Sequence, residues 1–132
     1  MNQARMIELI DVAVAGHMER HLLLQKAIER GRRGPEPENV ADPKICRLGK
    51  WLYGSEIDEA TRRSEAFTVV NRLHNNFHDC AGRIMDLARD FKPEQATALL
   101  HGEYKTHSDK LVRALLLWKQ ELLMAERKKR VA

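Results

Sequence analysis

The chain has 132 residues, 43% hydrophobic and 32% charged, with a net charge of +4. That length suits one domain, and that composition suits a folded globule rather than a disordered tail. Aromatic residues are 5% of the chain and β-branched runs are scarce, which argues against a sandwich or barrel.

The first predicted helix runs from Gln3 to Arg30. Ile7, Ile10, Val14, His17, His21, Leu24 and Ile28 recur at steps of three and four and form one stripe. Gly31, Gly34, Pro35 and Pro37 end it, and a polar loop leads to Asp42-Pro43, read as an N-cap followed by proline at the first helical position. A short helix from Lys44 to Leu52 follows and stops at Gly54; Ser55 to Arg62 reads as a connector with a turn of helix. A long helix from Thr61 to Phe91 carries Phe67, Val70, His74, Phe77, Ala81, Ile84 and Ala88, with His78 on the edge of the stripe. Pro93 opens the last helix, Glu94 to Lys128, whose stripe is Leu100, Tyr104, His107, Leu111, Leu115, Trp118, Leu122 and Ala125. Gly102 is expected to loosen it locally. The expected fold is all-α, an antiparallel four-helix bundle of three long helices plus a short ligand-bearing helix, forming a single domain over residues 1–132.

No apolar run approaches the 18 residues that a membrane span needs; Ala114 to Trp118 is far too short. Glu8 and Asp11 interrupt any signal-peptide core, so the expectation is a cytoplasmic chain without a membrane partner. Its two cysteines are then reduced thiols, metal ligands or packed side chains. The basic clusters Arg30-Gly31-Arg32-Arg33 and Arg127-Lys128-Lys129-Arg130 lie at predicted helix ends, where the macrodipole favours cations. Without an aromatic stacking platform they do not point to nucleic acid.

The six histidines carry the chemistry. His17, His21, His74 and His107 occupy positions where the pattern calls for an apolar side chain. A buried imidazole needs partners for both ring nitrogens, and a metal ion supplies one. His74 and His78 stand one helical turn apart, so both rings can reach one cation; His17 and His21 repeat that spacing. Cys46 adds a soft ligand. Three imidazoles and a thiolate suit tetrahedral Zn²⁺ and close its coordination, which makes a site structural or sensory rather than hydrolytic. His101 reads as solvent-facing, His107 as hydrogen-bonded, Cys80 as a packed thiol, and Trp51 and Trp118 as core anchors.

The segment Cys46-Arg47-Leu48-Gly49-Lys50-Trp51-Leu52-Tyr53-Gly54 and the pair in His74-Asn75-Asn76-Phe77-His78 resemble the chemoreceptor zinc-binding (CZB) domain of bacterial signalling proteins. That family has a first-helix histidine about 30 residues before the cysteine; here His17 lies 29 before Cys46 and His21 lies 25 before it. The resemblance implies one zinc held in a four-helix bundle by His17, Cys46, His74 and His78, with His21 as the alternative first-helix ligand. The family's usual aromatic three residues after that histidine is Arg20 here. Further implications are a homodimer, a chemoreceptor or diguanylate cyclase as partner, and a response to zinc or to oxidation of Cys46.

Two other classes compete. A hemerythrin-like di-iron bundle that binds O₂ would use the same scaffold, but the His-x-x-x-Glu pair it needs is missing: His17, His21 and His101 are followed four residues on by His21, Gln25 and Lys105. A metal-free helical dimer is the other. An enzyme is not expected, since Asn75 stands where His-Glu-x-x-His would place its general base.

Overall fold

A computed structural model describes residues 3–31, 33 and 40–131, and among them there is helix and no strand. The first helix, α1 (Gln3–Arg30), ends where expected, with Gly31 at φ 59° donating to the Ala27 carbonyl. Its buried line is Met6, Ile10, Ala13, His17 and Leu24. Ile7, Val14, His21 and Ile28 lie to one side of that line and are only half-buried.

The short helix α2 (Arg47–Leu52) starts later than the sequence suggests. Its N-cap is Cys46, whose sulfur accepts the Gly49 amide at 3.3 Å. Asp42 instead accepts the Lys44 amide at 2.9 Å, so Asp42-Pro43 forms the turn before the helix rather than its cap. Leu48, Trp51 and Leu52 anchor α2 in the core, and the Arg62 guanidinium donates to the Leu52 and Gly54 carbonyls at its end.

The single helix expected from Thr61 to Phe91 is interrupted at its start. Asp58 caps α3 (Glu59–Arg62) through the Thr61 amide, and Ser64 caps α4 (Glu65–Arg89) through the Phe67 amide. Two good N-caps six residues apart make a fresh start cheaper than one continuous rod. At the other end α4 stops at Arg89, because Phe91 takes a left-handed φ of 59°. The last rod is α5 (Pro93–Leu99), a π-helical turn (Leu100–Tyr104) and α6 (Lys105–Val131). The wide turn contains Gly102, the point of expected loosening, and keeps both Leu100 and Tyr104 buried.

The long helices pack against one another around one apolar core. Asp11 meets Lys119 at 2.7 Å, while ten residues further along α1 the His21 ring lies 6.3 Å from that of Tyr104. So α1 and α6 run in opposite directions. Against α4 the order is different: His17 packs on His74 and His78, and Gly31 lies beside Ala88. So α1 and α4 run the same way, an arrangement that simple antiparallel alternation does not include. The long connection from Gly31 to Ser64, which contains α2 and α3, makes that crossover possible. Trp51 stacks on Trp118 with centroids 5.3 Å apart, tying α2 to α6.

Candidate metal centre

Four side chains from three separate segments converge where α1, the start of α2 and the middle of α4 meet. The donor atoms of His17, Cys46, His74 and His78 all lie within 4.8 Å of one another. The three histidines are buried and Cys46 is half-buried.

Two of the three rings are aimed by main-chain carbonyls. His17 Nδ1 lies 2.7 Å from the Ala13 carbonyl one turn earlier, and His78 Nδ1 lies 2.8 Å from the Val40 carbonyl. A carbonyl accepts only from N–H, so both rings carry their proton on Nδ1 and present the Nε2 lone pair. Those two Nε2 atoms are buried and have no hydrogen-bond partner among the described residues. His74 points Nε2 at the Cys46 sulfur, 3.1 Å away. Leaving buried nitrogens unpaired costs about 1–3 kcal/mol each, and two of them converging on one point beside a sulfur calls for a cation there. A tetrahedral zinc site with bonds of about 2.0–2.3 Å separates its donors by roughly 3.3–3.6 Å, compatible with this cluster. The residues fit the ion.

Burial also fixes the protonation states. It lowers His17 from the ordinary imidazole value of 6.5 to about 4, despite the opposing Ala13 carbonyl, and lowers His74 to about 2 with help from the neighbouring rings. His78 is lowered mainly by burial as well, against the pull of the Val40 carbonyl. Burial pushes the Cys46 thiol up, and the Gly49 amide opposes that shift. All three imidazoles are therefore neutral and ready to ligate near neutral pH.

The sign of the resulting pH dependence follows from linkage. Below 6.5 the unfolded chain takes up protons that the folded, metal-free chain refuses, so stability falls with pH from about 6.5 towards 4 and is retained in full above that window. Urea unfolding of the metal-stripped protein is expected to give a lower midpoint at about pH 5 than at about pH 7.5. Equal midpoints would contradict the buried, neutral rings.

His21 is not in the cluster. Its ring faces those of His101 and Tyr104, at 5.8 and 6.3 Å. His101 is exposed, as expected, and His107 reaches Glu103 at 3.4 Å. Cys80 is a buried thiol, yet it also lies within 4.8 Å of donor atoms on Glu103 and His107, a grouping the sequence did not suggest. The Arg83 guanidinium already holds Glu103 at 2.8 Å. Sequence reasoning also missed the Ala13 and Val40 carbonyls, because main-chain groups carry no residue signature, and it marked Arg20 only as a departure from the family pattern, whereas Arg20 lines a cleft with His17 and Cys46.

The family model described as "Chemoreceptor zinc-binding domain" matches residues 17–85, a stretch that opens on His17 and contains Cys46, His74 and His78. The chain belongs to the chemoreceptor zinc-binding domain family. Comparison with curated proteins and with solved structures finds no match. As a chemoreceptor zinc-binding domain it is a zinc-binding signalling module, and zinc is its cofactor. None of its described helices is long and apolar enough to cross a membrane. No carboxylate joins the four-donor cluster among the described residues, which leaves the bridging chemistry of a di-iron centre without its ligands.

Proposed function

We propose that this chemoreceptor zinc-binding domain is a non-catalytic sensory module in which His17, Cys46, His74 and His78 hold one Zn²⁺. The observation that carries the reading is the convergence of two unpaired imidazole nitrogens, both fixed by backbone carbonyls, on the His74–Cys46 pair. Bound zinc would keep the Cys46 sulfur as thiolate and bind the start of α2 to the long helices.

The signal in this reading is a change at Cys46. Cys46 is both a ligand and the N-cap of α2, so its loss would release the metal and the helix start together. Two-electron oxidation of the thiolate to sulfenic acid is such a loss, with hypochlorite as the oxidant. The Trp51–Trp118 stack would then carry movement of α2 to α6. The finer architecture proposed is a four-helix bundle, α2 serving as the short member, supported by the burial of Leu48, Trp51 and Leu52 against the long helices.

A homodimer fits the surface. Met18, Leu22 and Leu23 of α1 and Leu116, Leu117, Leu123 and Met124 of α6 are exposed, and Met18 shares a groove with Leu116 and Leu117. A chemoreceptor or diguanylate cyclase in the cytoplasm is the proposed partner class, and neither nucleic acid nor membrane is proposed to bind.

Zinc release measured with a colorimetric chelator tests the sensing step. Hypochlorite is expected to release zinc from the wild type and equally from Cys80→Ser, whose thiol burial holds up at about 11. Abolition of the response by Cys80→Ser would assign the reaction to the other sulfur.

A further inference from the structure

The four-donor cluster is most open at its sulfur, where a cleft is lined by Cys46 and by one edge of the buried His17. His17, His74 and His78 are buried, whereas Cys46 is half-buried and lines a cleft of about 430 Å³ between α1 and the beginning of α2. Small residues on α1, namely Ala13, Ala15 and Gly16, form its wall and leave room for a small molecule beside the sulfur. The charged groups lining the cleft are Arg20, Arg47 and Glu19, two guanidinium groups against one carboxylate. Neither arginine makes an ion pair with a carboxylate among the described residues.

An exposed thiolate repels anionic reagents. A cleft lined by excess positive charge reverses that preference, because it concentrates anions before they reach the sulfur. We propose that the Arg20–Arg47 cleft is an anion-binding approach to Cys46, admitting small monoanionic electrophiles and oxidants in preference to neutral ones. This inference rests on the reading of Cys46 as a reactive zinc-bound thiolate, and it adds the selectivity with which that sulfur is reached.

Alkylation by iodoacetate and by iodoacetamide separates charge from access, since the two reagents have nearly the same size and the same reacting carbon. In each case a sulfur lone pair forms the new S–C bond, the C–I bond breaks, and iodide leaves with its electron pair. The zinc-loaded chain is treated with either reagent, labelling at Cys46 is followed by peptide mass spectrometry, and zinc release is followed in parallel. Relative to a short cysteine peptide, Cys46 is expected to favour iodoacetate, and added salt is expected to erode the preference. Substituting Arg20→Gln together with Arg47→Gln should slow iodoacetate on the order of tenfold and leave iodoacetamide within about twofold. Arg47→Gln alone, on an exposed side chain, should give a smaller change in the same direction and guards against misfolding of the double variant.

Equal slowing of both reagents, an unchanged rate ratio, or no labelling of Cys46 by either would overturn the proposal. Charge-selective labelling without zinc release would leave the anion approach standing and reject Cys46 as a zinc ligand, so the two readings fail separately.

Discussion

Purified wild-type protein is expected to contain about one zinc per chain, and Cys46→Ala or His78→Ala to retain only a small fraction of it after dialysis against a weak chelator. Each substitution removes one donor of four and also breaks the geometry that aims the rest. Without Cys46 the α2 start loses its cap and the His74 Nε2 atom its neighbour at 3.1 Å. Without His78 the Val40 carbonyl, 2.8 Å from the ring, loses its bond to α4. Changes outside the ligand shell of a zinc site cost 10–100-fold in affinity, so loss of a ligand is expected to cost on the order of 100-fold or more. His17→Ala should behave like the other two. His21→Ala should keep its zinc, because its ring turns towards His101 and Tyr104. Metal analysis of the four variants reads the result directly, and zinc retained by Cys46→Ala and His78→Ala would reject the ligand set.

Gly49→Ala is expected to be nearly as damaging, although it removes no donor atom. A Cβ at Gly49 would overlap the Pro43 carbonyl oxygen and crowd the Lys44 Cα, both backbone atoms that cannot rotate away. The Pro43–Cys46 turn would have to move, and with it the sulfur whose position the Gly49 amide fixes at 3.3 Å. Overpacking of this kind costs about 1–3 kcal/mol even where side chains can adjust. Here the expected result is a clear fall in the urea midpoint together with at least tenfold weaker zinc binding, measured by competition with a chromophoric chelator. Wild-type zinc affinity in a folded Gly49→Ala protein would show that the turn does not position Cys46. Gly82 shows the same device on α4: a Cβ there would press on Ala41, beside the Val40 carbonyl that orients His78.

The sequence makes the helical class and the pairing of His74 with His78 readable because both depend on local periodicity. His74 and His78 stand one turn apart in a strongly amphipathic helix, and Cys46 lies in a distinctive segment. What it concealed depends on contacts between distant parts of the chain. His17 and His21 share a stripe at steps of three and four, and only the packing of Ala13, His17 and Leu24 towards α4 separates them. The common direction of α1 and α4 depends on a connection without hydrophobic periodicity, so nothing local predicts it. Asp42-Pro43 has the composition of a helix start, but the side chain that caps α2 is a cysteine, a residue type outside the usual capping set. Part of the polar loop before it, Gly34 to Asn39, lies outside the described residues, as do Met1, Asn2, Arg32 and Ala132.

X-ray absorption at the zinc edge of the purified protein decides the ligand set, because it counts the atoms bound to the ion. The expected spectrum fits three nitrogen neighbours near 2.0–2.1 Å and one sulfur near 2.3 Å, with imidazole multiple scattering, and the sulfur shell disappears in Cys46→Ala. A first shell of oxygen and nitrogen without sulfur in the wild type, or one with two sulfurs, would contradict the assignment.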